Sequence, residues 1–122
     1  MRKYGLIGFP LGHSFSEKYF REKFERASIE DCIYSNYEIA SISDLAAILR
    51  DQELRGLNVT IPYKESVIPF LHKKDPVVVE IGACNCIRID EGQLSGYNTD
   101  VKGFEESLSE KLKAMDQHAL IL

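Results

Sequence analysis

The sequence predicts an α/β domain: a three-layer α/β/α sandwich on a mixed, mostly parallel sheet. Three observations predict it. Strand-like and helix-like patterns alternate from Tyr4 to Ile61, the signature of βαβ units and a parallel sheet. Two further strand-like runs flank Glu91-Gly92, and a hairpin brings antiparallel neighbours with it. The chain has 122 residues, 44% of them hydrophobic, which suits one domain burying roughly two-thirds of its unfolded surface.

The elements follow in order. Tyr4 to Phe9 is a short apolar run closed by Pro10 and Gly12, a buried strand running into a loop. Ser14 with Glu17 three residues on has the spacing of a capping box. The helix it opens carries Tyr19, Phe20, Phe24 and Ala27 on one face. Ile33 to Ile39, rich in Tyr and Ile, reads as the second strand. Ser41 and Asp44 start a second helix with Leu45, Ile48 and Leu49 as its face. Gly56 to Ile61 is the third strand. Pro62 can stand first in a short helix, where its missing N–H costs nothing. Asp75-Pro76 opens a further short helix or turn through about Ile81. Cys84 to Asp90 and Gln93 to Tyr97 form the hairpin. Val101, Phe104, Leu108, Leu112 and Met115 recur at steps of three and four, a long amphipathic helix. The last residues, His118 to Leu122, read as the start of another apolar strand.

Composition narrows the function. The net charge is -4 and no basic stripe occurs, so a nucleic-acid partner has no electrostatic footprint. No apolar run approaches a membrane span, and the N-terminus lacks the form of a signal peptide. Cys32, Cys84 and Cys86 are an odd set without pairing pattern, as expected of reduced thiols in a cytoplasmic protein. Cys84 and Cys86 lack a second Cys or His pair at metal spacing, so no metal is expected and two half-buried strand thiols are.

Four short motifs stand at the ends of strands, where open parallel sheets bind ligands. They are Gly8-Phe-Pro-Leu-Gly-His-Ser-Phe-Ser16, Gly56-Leu-Asn-Val-Thr-Ile-Pro-Tyr-Lys64, Gly82-Ala-Cys-Asn85 and Gly96-Tyr-Asn-Thr-Asp100. Each alone is weak; together, in this order and spacing, they resemble the N-terminal, substrate-binding half of the shikimate dehydrogenases, and the Asn-Val-Thr-x-Pro-x-Lys element is the most specific.

The resemblance gives these residues roles. Ser14 and Ser16 lie two apart, so extended backbone would point both hydroxyls one way. Two such donors beside a helix start make a seat for a carboxylate, and the resemblance implies that they hold that of shikimate; a helix cap is the other use of Ser14. Glu17 stands where the family commonly has proline, and its acid must turn away from a bound carboxylate. His13 reads as a structural hydrogen-bonding residue. Asn58 and Thr60 share one face of the third strand, and the resemblance implies that they contact ring hydroxyls; turn and cap chemistry is the alternative. Asn85 resembles the family's second hydroxyl-binding Asn, followed by Cys86 where threonine is usual. Lys64 and Asp100 are the implied catalytic dyad, counted among the substrate contacts as well. Hydride removal from a secondary alcohol requires a group in hydrogen-bond reach to take the hydroxyl proton, and either member can do so. Without the resemblance, Lys64 reads as a solvated lysine and Asp100 as an N-cap.

The family reduces 3-dehydroshikimate to shikimate with NADP, on the route to aromatic amino acids. NADP is held through a Gly-rich turn, and no Gly-x-Gly-x-x-Gly occurs here. The expectation is therefore a substrate-binding domain over residues 1–117, the beginning of a nucleotide-binding domain at 118–122, no cofactor contact within the chain, and no turnover by the chain alone. An unpaired apolar end would be disordered or self-associate through its edge. A dehydrogenase that also takes quinate, and a stand-alone small-molecule binding module, are the alternatives.

Overall fold

A computed structural model of the chain describes residues 1–12, 14–111, 118 and 120. Strand β1 (Arg2–Gly8) is followed by α1 (Phe15–Arg26), β2 (Cys32–Glu38), α2 (Leu45–Ile48), β3 (Leu54–Val59), β4 (Lys73–Lys74), α3 (Pro76–Ile81), β5 (Cys86–Asp90), β6 (Gln93–Tyr97) and α4 (Thr99–Ser109). They make a six-stranded sheet of order β2-β1-β3-β5-β6-β4. β1 lies parallel to both β2 and β3, and β4 is parallel to β6, whereas β5 is antiparallel to β3 and β6. The sheet is thus mixed and mostly parallel, as the alternating pattern requires.

Strand alternation assigns the two faces. Ile7, Leu57, Val59 and Ile87 point to one face and join Leu45, Val67, Leu71 and Val78 in the main core, so α2, α3 and the 3-10 turn Ile68–Phe70 cover it. Tyr4 and Tyr34 point to the other, where Phe24 and Phe20 of α1 meet them at ring distances of 6.4 and 4.6 Å. Helices on both faces give the three layers. Beside α1 that second face stays open as a groove of about 450 Å3, lined by Tyr4, Phe20, Phe24, Tyr34, Asn58 and Cys86 among others.

Several local expectations change. The two-residue strand β4 carries no periodic signal; His72 brings it in, its backbone N–H donating to the Leu94 carbonyl (2.9 Å) while its Nδ1 accepts from the Leu94 N–H (2.9 Å). Pro62 opens no helix: residues 64–67 are turns, and the helical turn starts only at Ile68. The second helix is split into a 3-10 turn (Ile42–Asp44) and the four-residue α2. Asp75 does cap α3, and Gly82 ends it in the left-handed region, where glycine carries no Cβ penalty. Glu91 and Gly92 both have positive φ, the form of two-residue turn whose twist matches the strands it joins. Cys84 is fully buried and precedes the strand, so only Cys86 is a half-buried strand thiol. α4 ends at Ser109, with Glu110 and Lys111 in a turn; residues 112–117 of the expected long helix, residues 119, 121 and 122 of the strand expected after it, and His13 lie outside the described residues. No helix among the described residues is long and apolar enough to cross a membrane.

Candidate functional site

The carboxyl ends of the parallel strands β1 and β3 face one edge of the sheet, and β5 begins and β6 ends at that same edge. The four motifs therefore converge there. Gly8 ends β1 against Thr60: a Cβ on Gly8 would come within 2.5 Å of the Thr60 methyl, so this close passage requires glycine.

Beyond β1 the chain turns into α1, with Ser14 as N-cap accepting from the Glu17 N–H at 3.4 Å. The capping box is only half formed, because the Glu17 carboxylate accepts from Asn36 Nδ2 at 2.8 Å instead of returning to Ser14. Ser16 lies inside α1. The two serines thus do not share an extended strand face, and the parallel-hydroxyl expectation is corrected: the start of a helix sets both. Asn36 holds Glu17, in the place of the family's proline.

Asn58, in β3, accepts a hydrogen bond at Oδ1 from the Tyr34 hydroxyl (2.9 Å). Thr60 follows the strand, its N–H bound to the Ile7 carbonyl and its carbonyl to the Tyr63 N–H. Tyr63 is buried, its hydroxyl donating to the Ile39 carbonyl, which anchors the turn that presents Lys64.

Lys64 Nζ lies 2.7 Å from Asp100 Oδ2, both side chains partly exposed. They are 36 residues apart, and the strap Ala83–Asn85 holds both. The Cys84 N–H donates to the Lys64 carbonyl at 2.8 Å. Asn98 Nδ2 donates to the Ala83 carbonyl at 3.0 Å. Asn85 takes Thr99 twice: its Nδ2 donates to Thr99 Oγ1 and its Oδ1 accepts from the Thr99 N–H, both at 2.8 Å. Asn85 is buried, so these bonds replace water that it has lost. One N–H of its amide remains for a ligand.

Asp100 is not the N-cap of α4. That place belongs to Asn98, which accepts from the Val101 N–H at 3.0 Å, and Asp100 stands in the first turn. Its carboxylate is thereby released from capping and turned to Lys64, on a helix end that favours negative charge. Asn98 and Thr99 were present in the motif Gly96 to Asp100; their role as clamps shows only in the fold. Tyr34 had no sequence signal at all.

Burial holds the Tyr34 phenol up to about 12, with the Ser16 hydroxyl acting in the opposite sense. Burial likewise pushes the Cys86 thiol up, towards its neutral form. Among the described residues no group of three or more His, Cys, Asp or Glu side chains could hold a metal ion.

A mixed sheet with amide, hydroxyl and paired charged groups at the ends of its parallel strands defines a small-molecule-binding α/β domain. Residues 6–87 match the family described as the shikimate dehydrogenase substrate binding domain, and the chain belongs to that family. It is 43% identical over 109 residues to shikimate dehydrogenase (NADP(+)) of Syntrophomonas wolfei, covering 88% of this chain and 37% of that protein. It is 44% identical over 121 residues to the enzyme of the same name from Dictyoglomus thermophilum, covering 98% of this chain and 44% of that one. The chain thus spans about two-fifths of the length of these relatives. Among solved structures, shikimate dehydrogenase 1 from Peptoclostridium difficile superposes with a TM-score of 0.82 at 37% identity, over 91% of this chain and 43% of that one. Shikimate 5-dehydrogenase of Thermus thermophilus in complex with shikimate gives 0.80 at 31% identity, over 90% and 42%.

Proposed function

We propose that this chain is the shikimate-binding half of an NADP-dependent shikimate dehydrogenase, and that Lys64 and Asp100 form its proton-transfer dyad. The observation that carries this is the 2.7 Å contact between Lys64 Nζ and Asp100 Oδ2 at the sheet edge, beside the strap that fixes both. Shikimate and NADP+ give 3-dehydroshikimate, NADPH and a proton. The nicotinamide supplies the hydride acceptor. The chain has no Gly-rich pyrophosphate turn, so no residue here is assigned to the cofactor, which belongs to the remainder of the parent protein.

The dyad takes the proton of the reacting hydroxyl, and returns one to the carbonyl oxygen in the reverse direction. A lysine paired with a single carboxylate can pass a proton within the pair while the net charge of the two stays low. Ser14 and Ser16, at the start of α1, hold the substrate carboxylate; Asn58, Thr60 and Asn85 meet its ring hydroxyls. This distribution orients the ring, which is itself a large share of catalysis. With only the substrate half present, the 122-residue chain binds shikimate but does not turn it over.

A 29%-identical structural neighbour is a 5-ketofructose reductase from Gluconobacter, with a TM-score of 0.79, so specificity within the fold is a real variable. The test is to compare the full-length protein on shikimate, quinate and 5-ketofructose with NADP+ or NADPH as required. The expected order places shikimate first. Faster turnover of either competitor would replace the substrate, and NADPH oxidation by the isolated chain would refute the division of labour.

A further inference from the structure

Asn58 is held from a strand that it does not touch. Tyr34 belongs to β2 and Asn58 to β3, with β1 between them. In register, Tyr34 lies opposite Tyr4 of β1, and Asn58 opposite Leu6. The Tyr34 phenol crosses this gap and donates to Asn58 Oδ1 at 2.9 Å. Its ring is fixed by Phe20 of α1, stacked at 4.6 Å and 15°.

The consequence lies in the chemistry of a carboxamide. Its oxygen only accepts and its nitrogen only donates. Free in solvent, an asparagine can present either to a ligand. A protonated phenol can donate or accept; here it faces the amide oxygen and so donates, and the burial that raises the Tyr34 pKa keeps that proton in place. With its oxygen turned to the Tyr34 hydroxyl, Asn58 presents its Nδ2 on the other side of the amide plane.

We infer that Tyr34 is a positioning residue that locks the Asn58 amide with its nitrogen towards the ligand, so that this position reads a substrate oxygen as an acceptor. The inference rests on the shikimate reading above and adds a sense to one of its contacts. Ground state and transition state should profit equally, because the ring oxygen that Asn58 meets is not the reacting one. Such uniform binding appears in KM and leaves kcat alone.

The experiment is a double-mutant cycle in the full-length protein with Tyr34→Phe, Asn58→Ala and the pair. Tyr34→Phe keeps the stacked ring and removes one oxygen. It should raise KM for shikimate about threefold to tenfold, the usual weight of one hydrogen bond, with kcat within about twofold of wild type. In the Asn58→Ala background the same change should add nothing, because the group through which it acts is gone. A purely structural tyrosine would cost the same in both backgrounds, so additive losses overturn the inference, as does an unchanged KM in Tyr34→Phe. Should Tyr34→Phe fail to fold, the Asn58 side-chain amide resonances of wild type decide: they should shift on adding shikimate, and amide protons that do not respond overturn the lock. A wild-type protein inactive on shikimate overturns the substrate reading itself, an outcome distinct from additivity.

Discussion

Two lysines of this chain face carboxylates at opposite ends of the sheet. Lys3, near the start of β1, lies 2.9 Å from Asp51 and 2.8 Å from Glu53. Lys64, beyond the end of β3, lies 2.7 Å from Asp100. Their side chains are almost equally exposed, 32% and 37%, so accessibility does not separate them. Partners do. The two acids around Lys3 hold its ammonium well above the ordinary lysine value, and Lys3 in turn holds Asp51 and Glu53 below the usual carboxylate range. A doubly clamped lysine keeps its proton; it ties β1 to the loop before β3. Lys64 has one acid in ion-pair reach among the described residues and stands at the edge of the sheet where the four motifs meet. An ion pair's chemistry is thus decided by what else shares its end of the sheet.

The widest separation between the two ends should come from removing each amine. Lys64→Ala in the full-length protein is expected to lower shikimate oxidation by about 100-fold or more, the typical cost of a proton-transfer group. Lys3→Ala should leave turnover within about twofold, since exposed ion pairs carry little energy. Comparable losses in steady-state assays of both would erase the distinction.

Next in size is the strap that makes the Lys64 end possible. Asn85→Ala removes two hydrogen bonds to Thr99 in a buried position. It should destabilise the chain by about 1–3 kcal/mol, read as a lower denaturation midpoint. If Asn85 serves substrate alone, stability will not move and only KM will.

The smallest effect belongs to the Lys3 end and depends on pH. Asp51 and Glu53 have depressed values in the folded state. Their contribution is present above the unfolded carboxylate values, about 4, and is lost as pH falls through the lower folded ones. Lys3→Met should flatten that acid limb of the stability curve in chemical denaturation at pH 2 to 5. An unaltered limb would show that other carboxylates control it.

Much of this was legible in the residues and some was not, and the divide follows the range of the interaction. Tyr4 to Ile61 showed its strands and helices because burial of one face imposes a local period. Glu91-Gly92 disclosed its hairpin, and Asp75-Pro76 its helix start, through backbone preferences that belong to single residues. β4 stayed hidden because two lysines carry no period; the hydrogen bonds of His72 with Leu94 and of Asp75 with the Gly96 carbonyl hold it beside β6. The Asp100 cap was misplaced because Asn98 and Asp100 are both good caps, and the choice fell to the strap that needed Asn98.

The sequence by itself therefore determined the three parallel strands, α1, the hairpin and the start of α4, the family, and the residue types gathered at strand ends, since all of these are written in spacing and motif. Only the tertiary structure decided which tyrosine holds Asn58, that Asn36 rather than Ser14 takes the Glu17 carboxylate, and that Asn98 rather than Asp100 caps α4. Each of these turns on contacts between segments distant in the chain, and they exist only once the strands have taken their places in the sheet.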